Sequence, residues 1–167
     1  FWLKLVYSST KLVYRIETPS KGVSMLQFLR LLPLLAVQNR SITDGGKVQL
    51  QLWPQPSSIS QGESFAYVKH QDFHFALHQS PVLKAASQRF KNLFFPHSSE
   101  GSVADDLHIA GVQFDIENPE AELHFGVDES YSLNVPAKGH AMIRAPTVWG
   151  ALQGLQTLSQ LIIFNFA

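Results

Sequence analysis

Three histidines and an aspartate recur at alternate positions of one short segment, a spacing that would place metal ligands on one face of a β-strand. These residues are His70, Asp72, His74 and His78, and imidazole suits zinc or copper. Strand positions four residues apart are, however, roughly 13 Å apart, whereas one ion holds its ligands at about 2 Å. We therefore interpret these side chains as a solvated or interface face of a sheet, and we expect no metal and no other cofactor.

Two pairs of adjacent carboxylates, Asp105-Asp106 and Asp128-Glu129, could suggest acid–base chemistry. Asp128-Glu129 opens a strand pattern, in which neighbouring side chains point to opposite faces. Asp105-Asp106 lies in a loop rich in Ser, Gly and Asp. The serines lack a G-x-S-x-G context, and the chain has neither a phosphate-binding glycine loop nor a cysteine. The sequence therefore predicts no catalytic residue.

The composition is that of one globular domain. The chain has 167 residues, of which 45% are hydrophobic and 16% charged. Thirteen basic and thirteen acidic side chains give a formal net charge of zero, so no overall field attracts phosphates, and we expect no nucleic acid partner. The absence of cysteine excludes disulfides and thiolate metal sites.

Residues 1–47 show little regular pattern, and we interpret them as an N-terminal extension. The segment MLQFLRLLPLLAVQ, which begins at Met25, has the charged and apolar parts of a secretory signal. Its apolar run is too short to span a bilayer. Asn39 stands in a glycosylation sequon, which matters only if the chain enters the secretory path. A non-native or disordered extension is the alternative.

From Val48 the pattern becomes regular and predicts an α+β fold. Strands are predicted over 48–53, 71–77, 107–116, 129–135 and 140–145, with a register switch at Gly111. Ser80 and Pro81 open a helix that ends before Pro96. Its apolar residues recur at helical spacing: Leu83, Ala86, Phe90, Leu93 and Phe94. We expect one mixed or antiparallel sheet with two helices packed on one face.

The segment PTVWGALQGLQTLSQLI, residues 146–162, predicts a final helix with two different faces. One stripe should pack on the sheet: Val148, Ala151, Leu152, Leu155, Leu158 and Ile162. Each helical glycine costs about 1 kcal/mol relative to alanine, so close approach of another element would compensate. We predict that a second flank faces a missing domain: Trp149, Gly150, Gln153, Gly154, Gln156 and Gln160. The alternative is that Trp149 covers loops of its own domain.

These residues closely resemble a known family. TVWGALQGLQTLSQLI is similar to the TVWGALRGLETFSQL segment of the β-N-acetylhexosaminidases of glycoside hydrolase family 20, which include lysosomal subunits and secreted chitinolytic enzymes. LWPQP at 52–56, RFKNLFF at 89–95 and DESYSLNV at 128–135 match in the same order. The resemblance spans about 48–163 and implies the family's non-catalytic, zincin-like N-terminal domain. On this resemblance Asp128-Glu129 belongs to a structural strand.

The resemblance implies a scaffold that packs on a catalytic (β/α)8 barrel. A barrel needs roughly 250 residues, so residues 164–167 are expected to be a truncated end with the barrel absent. In the family, a barrel Asp-Glu pair acts with the substrate's own acetamido group, and nothing here matches that motif. We thus expect a chain that is inactive alone and has no membrane span.

Its parent would hydrolyse terminal non-reducing N-acetylhexosamine residues of chitin oligomers or glycoconjugates. That parent would be secreted or lysosomal, could form a dimer, and would bind glycans only through the barrel. The alternatives are a stand-alone carbohydrate- or protein-interaction module and an inactive truncated gene product.

Overall fold

The computed structural model describes residues 2–7, 42–44, 47–50, 52–60, 64–76, 80–96 and 108–165. The signal-like segment from Met25, the sequon at Asn39, the Asp105-Asp106 pair and His78 lie outside them.

Two helices match the sequence prediction closely. Helix α1 spans Pro81–Phe94 after the N-cap residue Ser80, and helix α2 spans Val148–Leu161. Four of the five apolar residues that recur at helical spacing in α1 are buried: Leu83, Ala86, Phe90 and Phe94. The fifth, Leu93, is 55% exposed. It lies at the edge of the apolar stripe, in the last turn of the helix.

Among the described residues, seven strands form one mixed sheet, and two more form a separate hairpin. The strands are β1 Trp2–Tyr7, β2 Ile42–Asp44, β3 Lys47–Gln49, β4 Ser64–Val68, β5 His74–Phe75, β6 His108–Asn118, β7 Ser132–Asn134, β8 Gly139–Thr147 and β9 Ile162–Asn165. The sheet order is β7-β8-β6-β4-β1-β9, with β5 also paired to β6, while β2 and β3 pair with each other. The fold is therefore α+β, as the sequence predicts.

The centre of the sheet is parallel and its margins are antiparallel. Strand β6 runs parallel to β4, β5 and β8. Antiparallel pairs join β7 to β8, β4 to β1 and β1 to β9. The register of β6 against β8 shifts between Ile109 and Gly111, which confirms the predicted irregularity at Gly111. The predicted hairpin before the last helix is also confirmed.

Other strands differ from their predicted extents. Strand β1 lies in the main sheet between β4 and β9, whereas the sequence-based boundary placed the domain at 48–163. Its partners are far away in the chain, so no local pattern indicates the pairing. The strands predicted over 48–53 and 71–77 are shorter, since β3 ends at Gln49 and β5 contains only His74–Phe75. Alternation persists beyond β3, where Leu52 is buried and Trp53 is 68% exposed.

The two faces of the sheet differ in chemistry. On one face Ile143 of β8 lies beneath α2, and Phe114 of β6 stands beside it in register. The Phe114 ring stacks on Phe75, which contacts Phe94 of α1. Both helices therefore pack on this apolar face. The opposite face is polar and carries, among others, an exposed Arg144–Asp115 ion pair with a nitrogen–oxygen distance of 3.0 Å.

Candidate functional site

The start of α2 is fixed to the loop that carries DESYSLNV. Thr147 is the N-cap residue, and its hydroxyl oxygen accepts a hydrogen bond from the Gly150 amide at 3.2 Å. The same hydroxyl donates to the Asp128 carbonyl at 2.6 Å. The Asp128 carboxylate accepts from the Ser130 amide at 2.8 Å. One threonine thus caps the helix and holds the loop against it.

The core face of α2 lies where the helical periodicity predicts. Val148, Ala151, Leu155 and Leu158 are all buried, as expected for the predicted stripe. Leu152 is partly buried and packs against this core. The helix ends at Leu161, so Ile162, which is also buried, belongs to β9.

The two glycines of α2 face the domain's own sheet. A Cβ atom at Gly150 would lie 2.3 Å from the Ser130 carbonyl oxygen, and one at Gly154 would lie 2.7 Å from Ile143 Cγ2. Both glycines are buried. The close approach that the sequence indicated is therefore made within this domain, and neither glycine presents backbone to a neighbour outside it.

Trp149 lies between the domain and solvent. The indole is partly buried and packs against the core. Its Nε1 donates a hydrogen bond to the Ala121 carbonyl at 2.9 Å, in the loop between β6 and β7. The domain thus covers part of the indole, as in the alternative drawn from the sequence, while another part stays accessible.

The remaining predicted residues form the polar flank of α2, which we define as Trp149, Gln153, Gln156 and Gln160. Gln153 donates from Nε2 to Glu129 Oε2 at 3.0 Å. The amide of Gln160 makes two hydrogen bonds with the backbone of Trp53, one accepted at 2.8 Å and one donated at 2.7 Å. Gln156 is partly buried. The segments that carry the family resemblance thus meet along this helix.

Large apolar side chains are exposed near both ends of the polar flank. Leu123 is 50% exposed and Phe125 is 91% exposed, two and four residues after the carbonyl that holds Trp149. At the other end, Trp53 is 68% exposed and is held by Gln160. Exposed apolar groups that cluster around one element mark interaction surfaces in many proteins. Periodicity in the sequence could not identify Leu123 and Phe125, because they lie in a loop.

A buried hydroxyl pair lies beneath α2. The Tyr131 hydroxyl and Thr157 Oγ1 are hydrogen-bonded, and both residues are buried. Burial raises the pKa of Tyr131 from 10.0 to about 12, and the bond to Thr157 lowers it by a smaller amount. A phenol with so high a pKa remains neutral near pH 7, so this pair supports packing and provides no catalytic base.

The adjacent carboxylates of Asp128 and Glu129 take part in the contacts around α2. The carboxylates of Asp128 and Glu129 accept bonds from Ser130 and Gln153, so both serve the structure around α2. Within the described ranges, no group of three or more His, Cys, Asp and Glu residues has metal-binding geometry. The helices of this part of the chain are also too short or too polar to cross a membrane.

Comparison with known proteins identifies the fold unit. Residues 52–161 match the family described as "beta-acetyl hexosaminidase like". The chain is 35% identical over 133 residues to beta-hexosaminidase 1 of Arabidopsis thaliana, covering 69% of this chain and 25% of that protein. It is 32% identical over 149 residues to beta-hexosaminidase subunit beta of Sus scrofa, and the match covers 80% of this chain and 28% of that protein. Over 85 residues it is 51% identical to beta-hexosaminidase of Emericella nidulans, and the match covers 50% of this chain and 12% of that protein.

The chain therefore spans less than a third of the length of these relatives. The match covers the sheet centre, both helices and the polar flank of α2. This chain belongs to the beta-acetyl hexosaminidase-like family.

Proposed function

We propose that this chain is the N-terminal scaffold domain of a β-N-acetylhexosaminidase and that the polar flank of α2 docks on the catalytic barrel. The parent enzyme hydrolyses terminal non-reducing N-acetylhexosamine residues of chitin oligomers or glycoconjugates, in a secreted or lysosomal setting. Family membership supports the scaffold role. The structural observation that supports the docking surface is the partly buried Trp149 in the first turn of α2, on a helix with exposed apolar side chains near both of its ends.

Aromatic side chains along and beside α2 leave apolar surface exposed to water. Trp149 is only partly buried, although a tryptophan can bury about 150–250 Å² of surface. Phe125 and Trp53, near opposite ends of the helix, leave most of their surface in water. A partner that covered these side chains would remove apolar surface from water at about 25 cal/mol per Å². Gly150 and Gly154 are not part of this surface, because they already pack on the sheet.

A chimera tests the scaffold role. The 167-residue chain would replace the corresponding N-terminal segment of the Emericella nidulans relative, to which it is 51% identical over 85 residues. We expect the chimera to release chromophore from a chromogenic N-acetylglucosaminide and the isolated chain to release none. Activity in the isolated chain would contradict a purely scaffolding role, and a well-folded chimera without activity would contradict compatibility with the barrel.

Trp149→Ala tests the docking surface. The loss of unfolding free energy should be about 3–5 kcal/mol in the chimera if docking fully buries the indole. It should be smaller in the isolated chain, where the indole is already partly exposed. Arg144→Ala is the matched control, because Arg144 lies on the polar face of the sheet and its side chain is 66% exposed. This substitution should change the unfolding free energy of neither protein by more than about 0.5 kcal/mol. Equal losses for Trp149→Ala in both proteins would contradict docking through this residue.

A carbohydrate-interaction module is the second candidate, because exposed Trp53 and Phe125 offer aromatic faces to a sugar. Titration of the isolated chain with chitin oligosaccharides, followed by tryptophan fluorescence, distinguishes the two. Saturable quenching that Trp53→Ala abolishes would favour sugar binding by the domain itself. The scaffold proposal expects no saturable response.

A further inference from the structure

A histidine pair from two different strands lies on the sheet face opposite the helices. His74 of β5 and His140 of β8 are both in register with Gly111 of β6, the strand between them. Their Nε2 atoms are 3.1 Å apart, and their ring planes are inclined by 75°. His74 is exposed and His140 is partly exposed, so an ion from solvent can reach the pair.

The hydrogen bonds around His74 fix which of its nitrogens is free to bind. His74 Nδ1 lies 3.1 Å from the Asp72 carbonyl oxygen. A carbonyl only accepts, so Nδ1 carries the proton and the lone pair of neutral His74 is on Nε2. In the metal-free protein His140 Nε2–H donates to that lone pair. Metal-binding histidines commonly donate their second N–H to a backbone carbonyl in this way.

The strands hold this geometry in place. A Cβ atom at residue 111 would lie 1.9 Å from the His74 carbonyl oxygen, so only glycine allows β5 to approach β6 this closely. Because β6 also carries β8 in register, the backbones that present the two imidazoles are fixed relative to each other. A site built on paired strands needs less ordering when it binds than one built on loops.

We propose that His74 and His140 bind one divalent late transition-metal ion through their Nε2 atoms. Two imidazole nitrogens at about 2.0 Å from one ion are roughly 2.8 Å apart when cis on a tetragonal ion such as Cu²⁺ and roughly 3.3 Å apart on a tetrahedral ion, and the observed 3.1 Å lies between these values. His140 moves its proton to Nδ1 when the ion replaces the hydrogen bond, and water completes the coordination. Two imidazoles favour Cu²⁺ over Ni²⁺ and Zn²⁺.

This site differs from a cluster of His70, His74 and His78 along a single strand, where the spacing between ligands is too long for one ion. The second ligand comes instead from a strand that begins far along the chain.

The experiment is titration of the chelator-treated 167-residue chain with Cu²⁺, followed by calorimetry and electron paramagnetic resonance. We expect one ion per chain, with hyperfine coupling from two nitrogens. His74→Gln and His140→Gln should each weaken binding by roughly 10- to 100-fold or more, the range seen when groups that support a metal site are removed. His124→Gln, an exposed histidine in the loop between β6 and β7, is the matched control and should bind as the original chain does.

Circular dichroism of each variant checks that the fold is retained. Tight binding that survives both His74→Gln and His140→Gln would overturn the proposal, because the ion would then lie elsewhere. The proposal would also be overturned if the original chain bound Cu²⁺ no more tightly than the double variant that carries both His74→Gln and His140→Gln. Cu²⁺ should also raise the melting temperature of the original chain and of His124→Gln, but not of the double variant.

Discussion

Replacement of Gly150 by alanine tests whether α2 is packed on its own sheet as tightly as the structure indicates. The new Cβ would lie 2.3 Å from the Ser130 carbonyl oxygen, whereas ordinary contact begins at 3.4 Å. That oxygen would have to move by about 1.1 Å. Movement is resisted because the Ser130 amide is bonded to Asp128, whose carbonyl is bonded in turn to the Thr147 hydroxyl.

Two effects of opposite sign decide the magnitude for Gly150→Ala. Alanine gains up to about 1 kcal/mol over glycine in helix propensity. Insertion of a methyl group into a packed core costs about 1–3 kcal/mol, and a clash with anchored backbone belongs at the upper end. The net expectation is a loss of about 2 kcal/mol of unfolding free energy, equivalent to a melting temperature lower by about 4–8 °C for a chain of this size.

Urea unfolding followed by circular dichroism measures this loss, and the slope m should stay unchanged. Gln156→Ala, in the same helix, is the matched control and should lie within about 0.5 kcal/mol of the original chain. Gly154→Ala should cost less than Gly150→Ala, because its nearest contact is the Ile143 side chain and not a carbonyl group. A Gly150→Ala protein as stable as the original would refute the reasoning, since helix propensity would then outweigh packing.

Two further predictions concern contacts made by α2. Because burial raises the pKa of Tyr131 from 10.0 to about 12, the unfolded chain ionises first and stability falls between about pH 10 and pH 12, by about 1.4 kcal/mol per pH unit. Tyr131→Phe should remove this decline, as measured by the difference between the two proteins' unfolding free energies across that range, and an unchanged decline would contradict the assignment. Gln160→Ala should free the Trp53 backbone and increase amide exchange at Trp53, with a global loss of only about 1–2 kcal/mol for two exposed hydrogen bonds. Unchanged exchange at Trp53 would show that other contacts hold this segment.

Local patterns in the sequence were sufficient for much of the fold. Proline and serine at the start of α1, alternation in β7 and β8, and the parity change at Gly111 depend on neighbours within a few residues. Contacts between residues that are far apart in the chain could not be predicted from these local patterns. The Trp53–Gln160 contact joins residues 107 positions apart, and the His74–His140 contact joins residues 66 apart. The place of strand β1 in the sheet was not predicted for the same reason, since it pairs with the distant strands β4 and β9.

For the polar flank of α2, the sequence predicts which residues share a face but not which element covers that face. A helical wheel separates the faces of α2, yet it cannot identify the element that covers each face. Gly150 and Gly154 indicated close approach correctly, but the approaching element is the domain's own sheet and loop. The glutamines indicated a polar flank, and two of them bind segments of the same chain. Of the predicted interface, Trp149 has the clearest case for a partner, because it is the one apolar side chain among the four partly buried residues of the polar flank.

The contacts that cover part of the polar flank would also prepare it for the partner that we propose. Thr147 anchors the start of α2, Gln153 joins its middle to Glu129, and Gln160 joins its end to Trp53. A surface whose side chains are already held loses less conformational entropy when a partner binds, at about 0.5–1.5 kcal/mol per side chain that need not be newly ordered. Docking should therefore weaken when these anchors are removed, even where the partner never touches them. The internal packing of the domain would then be coupled to the proposed docking.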